Sequence, residues 1–328
     1  MQVIFLQPDA LPSLPNLALT IGNYDGVHLG HQAMLARLVD GAKTLNLSSA
    51  VMVFEPQPRE FFYPDDAPAR LSSLSEKSKL IAKLGVDYLL VASFDEVFRS
   101  LSADAFVQIL KQLNVRQLVL GDDFRFGQGR VGNHQSLSEA GFAVENLSSV
   151  LVDGYRVSST LVREALAKGD LMAAKTLLGR DYAITGQVVH GDKIGRTLDF
   201  PTANIALNRH KPPLHGVFGA DILAFDEQGT ALSWETLTTK HGQGVSGVTA
   251  GSLFGAVNIG TRPSVLGVDW RLEVHLPQFA GDLYGVHLQV IFLHYLHGER
   301  RYDGLNALKL GIHQDVQQLL DWRAAQST

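Results

Sequence analysis

Apolar and polar positions follow two different rhythms along the chain. In the first half, short apolar runs alternate with helical patterns or turns. "LALTIG", "SAVMVFE", "DYLLVASF" and "RQLVLG" are such runs, and their length and turn boundaries predict buried strands. Between them, "HQAMLARLVDGA" places Met34, Leu35, Leu38, Val39 and Ala42 on one helical face. Ser73 and Glu76 have the spacing of a capping box ahead of "KSKLIAKLG". "SADAFVQILKQL" repeats the helical period. Strands separated by helices predict a parallel sheet covered on both faces. Its binding crevice then lies at the carboxyl ends of the strands. "LALTIG" is expected to be the first of them.

Near residue 180 the rhythm changes. "YAITGQVVHG", "GVFGADILAF", "FGAVNIG", "WRLEVHLP" and "HLQVIFLHYL" read as strands joined by turns. No helical pattern is expected among them before "GLNALKLGIHQDVQQLLDW", where Leu305, Leu308, Ile312, Val316 and Leu319 form a stripe. This half predicts an antiparallel barrel closed by one C-terminal helix. The expected domains are therefore 1–182 and 183–328. The polar, glycine-rich segment from 227 to 252 is expected to be a long surface loop.

Composition narrows the function. The 328 residues suffice for two cores, and no apolar run is long enough to span a bilayer. "MQVIFLQPDALPSLP" has no basic region or cleavage site of a signal peptide, so a cytoplasmic location is expected. The absence of cysteine excludes disulfides, thiolate zinc sites and thiol nucleophiles. A formal charge of -5 argues against generic binding to nucleic acid. Neither nucleic acid nor membrane is an expected partner, and the sequence sets no oligomeric state.

Candidate chemistry begins at "TIGNYDGVHLGHQ", residues 20 to 32. His28 and His31 fall where a strand gives way to a helix, expected to open near His31, so they lie over a positive helix end. Gly22 and Gly26 let backbone approach a ligand closely. Imidazoles beside free N–H groups suit a phosphate-like guest and can stabilise charge that grows on its oxygens. The same spacing also fits a tight turn with two surface histidines. Zinc is disfavoured, because no third ligand lies nearby. Downstream, "RVSSTLVREAL" puts Ser158 and Ser159 at a helix start and Arg163 one turn further. Two hydroxyls, helix N–H groups and a guanidinium make a phosphate clamp, although a serine cap with a solvated arginine has the same pattern.

HxGH followed downstream by SSTxxR resembles the nucleotidylyltransferase superfamily, whose domain is a Rossmann-like α/β fold. The longer string "GNYDGVHLGHQ", with "FEPQPREFF" and "GDDFRFGQGRVG", is similar to the bacterial bifunctional riboflavin kinase/FAD synthetases. The resemblance implies FMN adenylyltransferase chemistry, in which the FMN phosphate attacks the α-phosphorus of ATP and pyrophosphate leaves. It implies that His28 and His31 contact ATP phosphates and that Ser159 and Arg163, with Ser158, hold the pyrophosphate portion. Gly22, Asn23, Asp25 and Gly30 belong to the same ATP-binding string, and Asp123 is implied at the adenosine ribose. Phe54, Pro56, Pro58, Phe62 and Phe126 are candidates for an apolar flavin slot, or for ordinary core. Tyr24 stands where relatives carry phenylalanine, and Gln57 where many carry histidine.

The second half holds "GDKIGRTLDFPTANI". Gly191 and Gly195 bracket a loop bearing Lys193. Thr202 and Asn204, two residues apart on a strand, share a face and offer oxygens to a hard cation such as magnesium. A turn followed by a half-exposed strand fits equally well on spacing alone. The string resembles the riboflavin kinase signature, as do "AVNIGTRPSV" and "EVHLPQFAGDLYG". The resemblance implies a small six-stranded barrel. It also implies ATP binding at Gly191, Lys193 and Gly195, Mg2+ held by Thr202 and Asn204, and Glu273 as the base for the riboflavin 5′-hydroxyl. His297, Gly298 and the long 227–252 segment depart from the family pattern. Two other readings stay open: a nucleotidylyltransferase acting on another phosphate substrate, and a flavin-binding regulator that has lost catalysis.

Overall fold

The computed structural model describes residues 1–7, 10–147, 151–152, 154–191, 200–238, 251–264 and 267–326. It divides into two compact units. The first comprises 1–68 and 72–159, and the second 69–71 and 160–328.

The first unit is built on strands β1 (Gln2–Leu6), β2 (Leu17–Ile21), β3 (Ser48–Glu55), β4 (Tyr88–Ser93), β5 (Val115–Gly121) and β6 (Ala143–Leu147). They form one sheet in the order β1-β4-β3-β2-β5-β6, and every pair is parallel. A short hairpin of β7 (Leu151–Val152) and β8 (Tyr155–Arg156) follows. The helices are α1 (Leu29–Thr44), α2 (Pro58–Phe62), α3 (Leu74–Lys83), α4 (Glu96–Arg99), α5 (Ala103–Gln112) and α6 (His134–Glu139). β2 is buried at every position because sheet neighbours and helices cover both its edges and faces. Two apolar clusters sandwich the sheet. One contains Leu35, Leu38, Val39 and Ala42 of α1, with Met34 packed against it. The Ser73–Glu76 capping box forms at α3, and Ser102 caps α5. A cap of this kind contributes about 1 kcal/mol.

"LALTIG" is thus the second strand, not the first. β1 occupies the sheet edge and leaves Phe5 exposed, although Val3–Leu6 is an apolar run as continuous as that of a central strand. Strand order reverses at β2, whose neighbours are β3 and β5. This switch point opens a crevice at the carboxyl ends of β2 and β5.

The second unit contains α7 (from Ser159, the last residue of the first unit, to Ala167), α8 (Leu171–Leu178) and six further strands. These are β9 (Ala183–Val189), β10 (Thr202–Ile205), β11 (Gly216–Phe225), β12 (Leu253–Ser264), β13 (Gly267–His275) and β14 (His287–His297). They close a barrel in the order β10-β13-β12-β11-β14-β9, all antiparallel. Alternation sends Ile184, Val188, Ile222, Val257, Leu272, Val274 and Val290 into its core. Leu166, Ala174, Leu178 and Tyr182 join that core, so α7 and α8 pack with the barrel.

Two expectations for this half are corrected. A short helix, α9 (Trp234–Thr238), lies within the segment read as a surface loop, and Trp234 is buried against Phe279. One large aromatic is enough to anchor a polar stretch to the core; residues 239–250 lie outside the description. On the last helix, α10 (Leu305–Ala325), the buried positions are Gly311, Asp315 and Leu319, while Leu305 is exposed. Close approach and a polar pair select this face. Gly311 meets the Tyr302 ring, and the Asp315 carboxylate is 2.8 Å from His297 Nε2.

Candidate active sites

The loop after β2 crosses the switch point with unusual backbone. Tyr24, Gly26 and Val27 have φ of 48°, 81° and 41°. A β-branched residue in the left-handed region is strained and persists only where its surroundings hold it. Here the holding groups are identifiable. Tyr24 is buried with its hydroxyl 2.6 Å from Thr20 Oγ1. Ser72 Oγ accepts from the Gly26 N–H at 3.0 Å, and Asp25 Oδ1 accepts from the Ser72 N–H at 3.0 Å and its hydroxyl at 3.3 Å. The Asp25 carboxylate, expected among the ATP contacts, is therefore turned to Ser72.

α1 opens at Leu29, two residues before His31, and His28 is its N-cap. His28 Nδ1 accepts from the His31 N–H at 3.3 Å. That bond leaves the His28 proton on Nε2 when the ring is neutral. The two imidazoles stack at 3.6 Å. The His31 pKa lies well below the usual value, chiefly because of burial and further because of His28 and Lys77. Its Nδ1 is buried without a hydrogen-bond partner among the described residues. Imidazoles over a helix N-terminus can donate to phosphate oxygens. Gly30 keeps this stack possible, since a Cβ there would press on the His28 ring at 3.2 Å. Lys77, fully buried on α3, was not foreseen; its helical spacing resembles that of an ordinary surface lysine.

Ser159 Oγ donates to the Asp25 carbonyl at 2.9 Å, tying the start of α7 to the same loop. Arg163 Nε donates to the Ala69 carbonyl at 2.6 Å. Ser158 immediately precedes α7. Gly22 and Asn23 follow β2 directly. After β5, Asp123 is exposed, with Arg156 3.8 Å away.

An aromatic cavity of about 220 Å³ lies in the first unit. Phe54, Pro58, Phe62 and Phe126 line it, together with Phe94, Phe98, Phe106 and Phe124. Arg99, Arg125 and Arg130 also line it, without any carboxylate. Pro56 does not: it is exposed, on the outer side of the turn ahead of α2, whereas Pro58 enters the helix and faces the cavity. Phe94 and Phe98 were missed because they follow a strand in a segment too short to show a helical face. Gln57 is buried between these residues, its Nε2 unpartnered among the described residues.

On the barrel, Arg271, Glu273 and His275 share the outer face of β13, while Leu272, Val274 and Leu276 are buried. Asn204 stands directly opposite Glu273, and Thr202 opposite His275. His275 Nδ1 is 2.9 Å from the Pro201 carbonyl, and burial lowers its pKa. Thr202 and Asn204 thus point oxygen donors from one strand face, a donor set suited to magnesium with water completing its shell. A Cβ at Gly191 would overlap the Asn204 amide, so the bare glycine reserves that space. Gly191 and Asn204 also line an open cavity of about 490 Å³. Among the described residues, no group of three or more His, Asp or Glu side chains could hold a metal. Lys193 and Gly195 lie outside the described residues.

A chain built this way falls among the transferases of phosphorus-containing groups. A family model described as FAD synthetase matches residues 11–161, and one described as riboflavin kinase matches 178–323. The chain is 44% identical over 303 residues to the bifunctional riboflavin kinase/FMN adenylyltransferase of Escherichia coli K12, covering 90% of each. It is 41% identical over 324 residues to the Haemophilus influenzae protein of that name, covering 97% of each. Identity to the Pseudomonas fluorescens protein is 46% over 305 residues, covering 90% of each. A solved Streptococcus pneumoniae structure, described as a macrolide-efflux protein, has the same fold with a TM-score of 0.73 at 24% identity. The match covers 95% of this chain and 97% of that one. The chain belongs to the bifunctional riboflavin kinase/FMN adenylyltransferase family. No helix among the described residues is long and apolar enough to cross a membrane.

Proposed function

We propose that the chain makes FMN and then FAD, consuming ATP in each reaction. The division of activities is placed at 182/183, with riboflavin phosphorylated in the barrel and FMN adenylylated in the α/β unit. The observation that carries the reading is that each unit has its own polar cluster: stacked histidines over a helix N-terminus in one, and Glu273 opposite Asn204 in the other. In the barrel, Glu273 accepts the proton of the riboflavin 5′-hydroxyl. The oxygen bonds to the γ-phosphorus of ATP, the bond to the bridging oxygen breaks, and ADP leaves. Thr202 and Asn204 would hold magnesium, which supplies charge neutralisation at the ATP phosphates. Gly191, Lys193 and Gly195 contact the nucleotide.

In the α/β unit, an oxygen of the FMN phosphate bonds to the α-phosphorus of a second ATP, and pyrophosphate leaves. No protein nucleophile is needed, so positioning and charge stabilisation supply the catalysis. His28 and His31 donate to the phosphate oxygens, Ser158 and Ser159 act on the departing pyrophosphate, and Asp123 receives the ribose. The aromatic cavity holds the isoalloxazine, with Phe54, Pro58, Phe62 and Phe126 in its wall. Both ATP-dependent reactions fit a cytoplasmic enzyme that acts on small molecules and needs neither nucleic acid nor a membrane. Incubation with riboflavin, magnesium and ATP, followed by separation of flavins, should yield FMN first and FAD after it. Riboflavin recovered unchanged, with supplied FMN also unchanged, would refute both assignments.

A further inference from the structure

Riboflavin and FMN share the isoalloxazine and the ribityl chain, so an apolar, aromatic wall gains equally from either. They differ by one phosphate, which carries a charge of about −1.5 to −2 at pH 7. A cavity that accepts FMN and rejects riboflavin must therefore meet that phosphate. The aromatic cavity has groups suited to this, because Arg99, Arg125 and Arg130 line it without any carboxylate. Arg99 is already engaged: its Nε lies 2.8 Å from Glu96, and its guanidinium 5.8 Å from the centre of the Phe62 ring. Arg125 and Arg130 make no ion pair among the described residues, and both are exposed. Asp123, two residues before Arg125, is turned to Arg156. Ile21, the last residue of β2, is also in the cavity wall, and Gly22 after it opens the loop that carries His28 and His31.

The segment that bears the two arginines is fixed. Phe126 and Gly132 form an antiparallel bridge through N–H···O bonds of 3.1 and 3.0 Å. The Gln128 N–H donates to the Leu101 carbonyl at 2.7 Å, and a Cβ at Gly127 would overlap the Ala103 backbone of α5. Arg130 has φ of 58° and donates its N–H to the Gly127 carbonyl at 2.9 Å; a non-glycine residue persists in this region only where its surroundings hold it. Arg125 Nη1 donates to the Phe124 carbonyl at 2.9 Å, which leaves the other guanidinium N–H groups for a guest.

We infer that Arg125 and Arg130 are the specificity residues of the aromatic cavity: their guanidiniums bind the flavin phosphate and so select FMN over riboflavin. This rests on the reading of the cavity as the flavin site. The rings supply affinity common to both flavins, and the two cations at the exposed rim supply the difference. Guanidinium groups stay charged at any working pH and match phosphate oxygens in geometry. Because both are exposed, salt should weaken their hold.

The test measures FAD formation from supplied FMN by the full chain, at low and high salt. Lumiflavin serves as the neutral probe: it keeps the isoalloxazine, lacks the ribityl phosphate, and has no hydroxyl for the barrel to phosphorylate. Arg125→Gln and Arg130→Gln should each raise KM for FMN about tenfold, the loss of a hydrogen bond to a charged group, with the loss falling on KM rather than kcat. The Ki of lumiflavin against FMN should stay at the parent value. Raising salt should raise KM in the parent and much less in the double glutamine variant. Lysine at both positions keeps the charge and should restore most of the affinity. An unchanged KM for FMN, or a lumiflavin Ki that rises in step with it, overturns the inference. Phe62→Ala tests the cavity itself, at an exposed ring that lines it, and should raise KM for FMN and Ki for lumiflavin together. If it moves neither, the flavin is not in this cavity, and the inference falls with that reading.

Discussion

The two regions proposed to act on phosphate are built on opposite plans. In the α/β unit the working side chains sit on a loop whose backbone is strained at Tyr24 and Val27 and held by Ser72 and Asp25. In the barrel they sit on regular strands, where register alone places Asn204, Glu273 and Asn258 in one row. A loop site is local in sequence and depends on the groups that hold its backbone. A strand site is scattered in sequence and depends on pairing. The first can bend backbone around a ligand; the second offers a fixed spacing that few substitutions can alter.

The comparison is broken most severely at Glu273. Glu273→Gln keeps the shape and removes the base, so FMN formation should fall by roughly 10²–10⁴, nearer the lower end because the transition state is loose. FAD formation from supplied FMN should remain at the parent rate, and flavin separation measures both. The mirror experiment is His31→Ala. Losing one donor to the phosphates costs on the order of 3 kcal/mol, about a hundredfold in FAD formation, while FMN accumulates. If either substitution depresses both products equally, the two regions are not independent centres.

Gly191→Ala tests whether the barrel region depends on space rather than on a functional group. The added methyl would displace the Asn204 amide, and a misplacement of that size should slow FMN formation about tenfold. Steady-state rates at saturating and limiting magnesium would show whether added metal offsets the loss.

The smallest effect concerns pH. His31 has a depressed pKa in the folded chain, whereas the unfolded chain titrates near 6.5. Below that pH the unfolded state binds the extra proton, so folding stability falls as pH drops below about 6.5. Thermal unfolding of the parent should move down by a few degrees between pH 7.5 and 5.5, and by less in His31→Gln. An identical decline in both would assign the acid sensitivity to other groups.

The difference in plan also explains what could be read from sequence. The loop site was legible because its residues are contiguous: two histidines, their glycines and the start of α1 fall within one string. The alternation on β13 was equally plain, since one face is apolar and the other carries Arg271, Glu273 and His275. Asn258 was not legible, because only strand pairing brings it opposite Glu273. β1 was legible in principle, since Val3–Leu6 is a continuous apolar run; its edge position and the exposure of Phe5 were not. On α10 the expected stripe meets the buried face at Leu319 and flanks it at Leu308, Ile312 and Val316; the face centres instead on Gly311 and Asp315, which an apolar stripe cannot reveal. The cavity wall needed Phe94, which ends the apolar run "DYLLVASF", and Phe98, which lies on the four-residue α4; no apolar pattern marks either as facing a cavity.

Histidine is an unusual choice for the cap of α1. Serine, threonine, aspartate and asparagine close a helix start better, by up to about 1 kcal/mol over poor caps. The same imidazole that fastens this helix is the one proposed to meet phosphate. Directed evolution of this chain for heat tolerance alone should therefore drift at position 28 early, toward aspartate or serine, and return sturdier proteins that no longer adenylylate. Library designs that seek a hardier catalyst would do well to lock that codon and look for stability elsewhere.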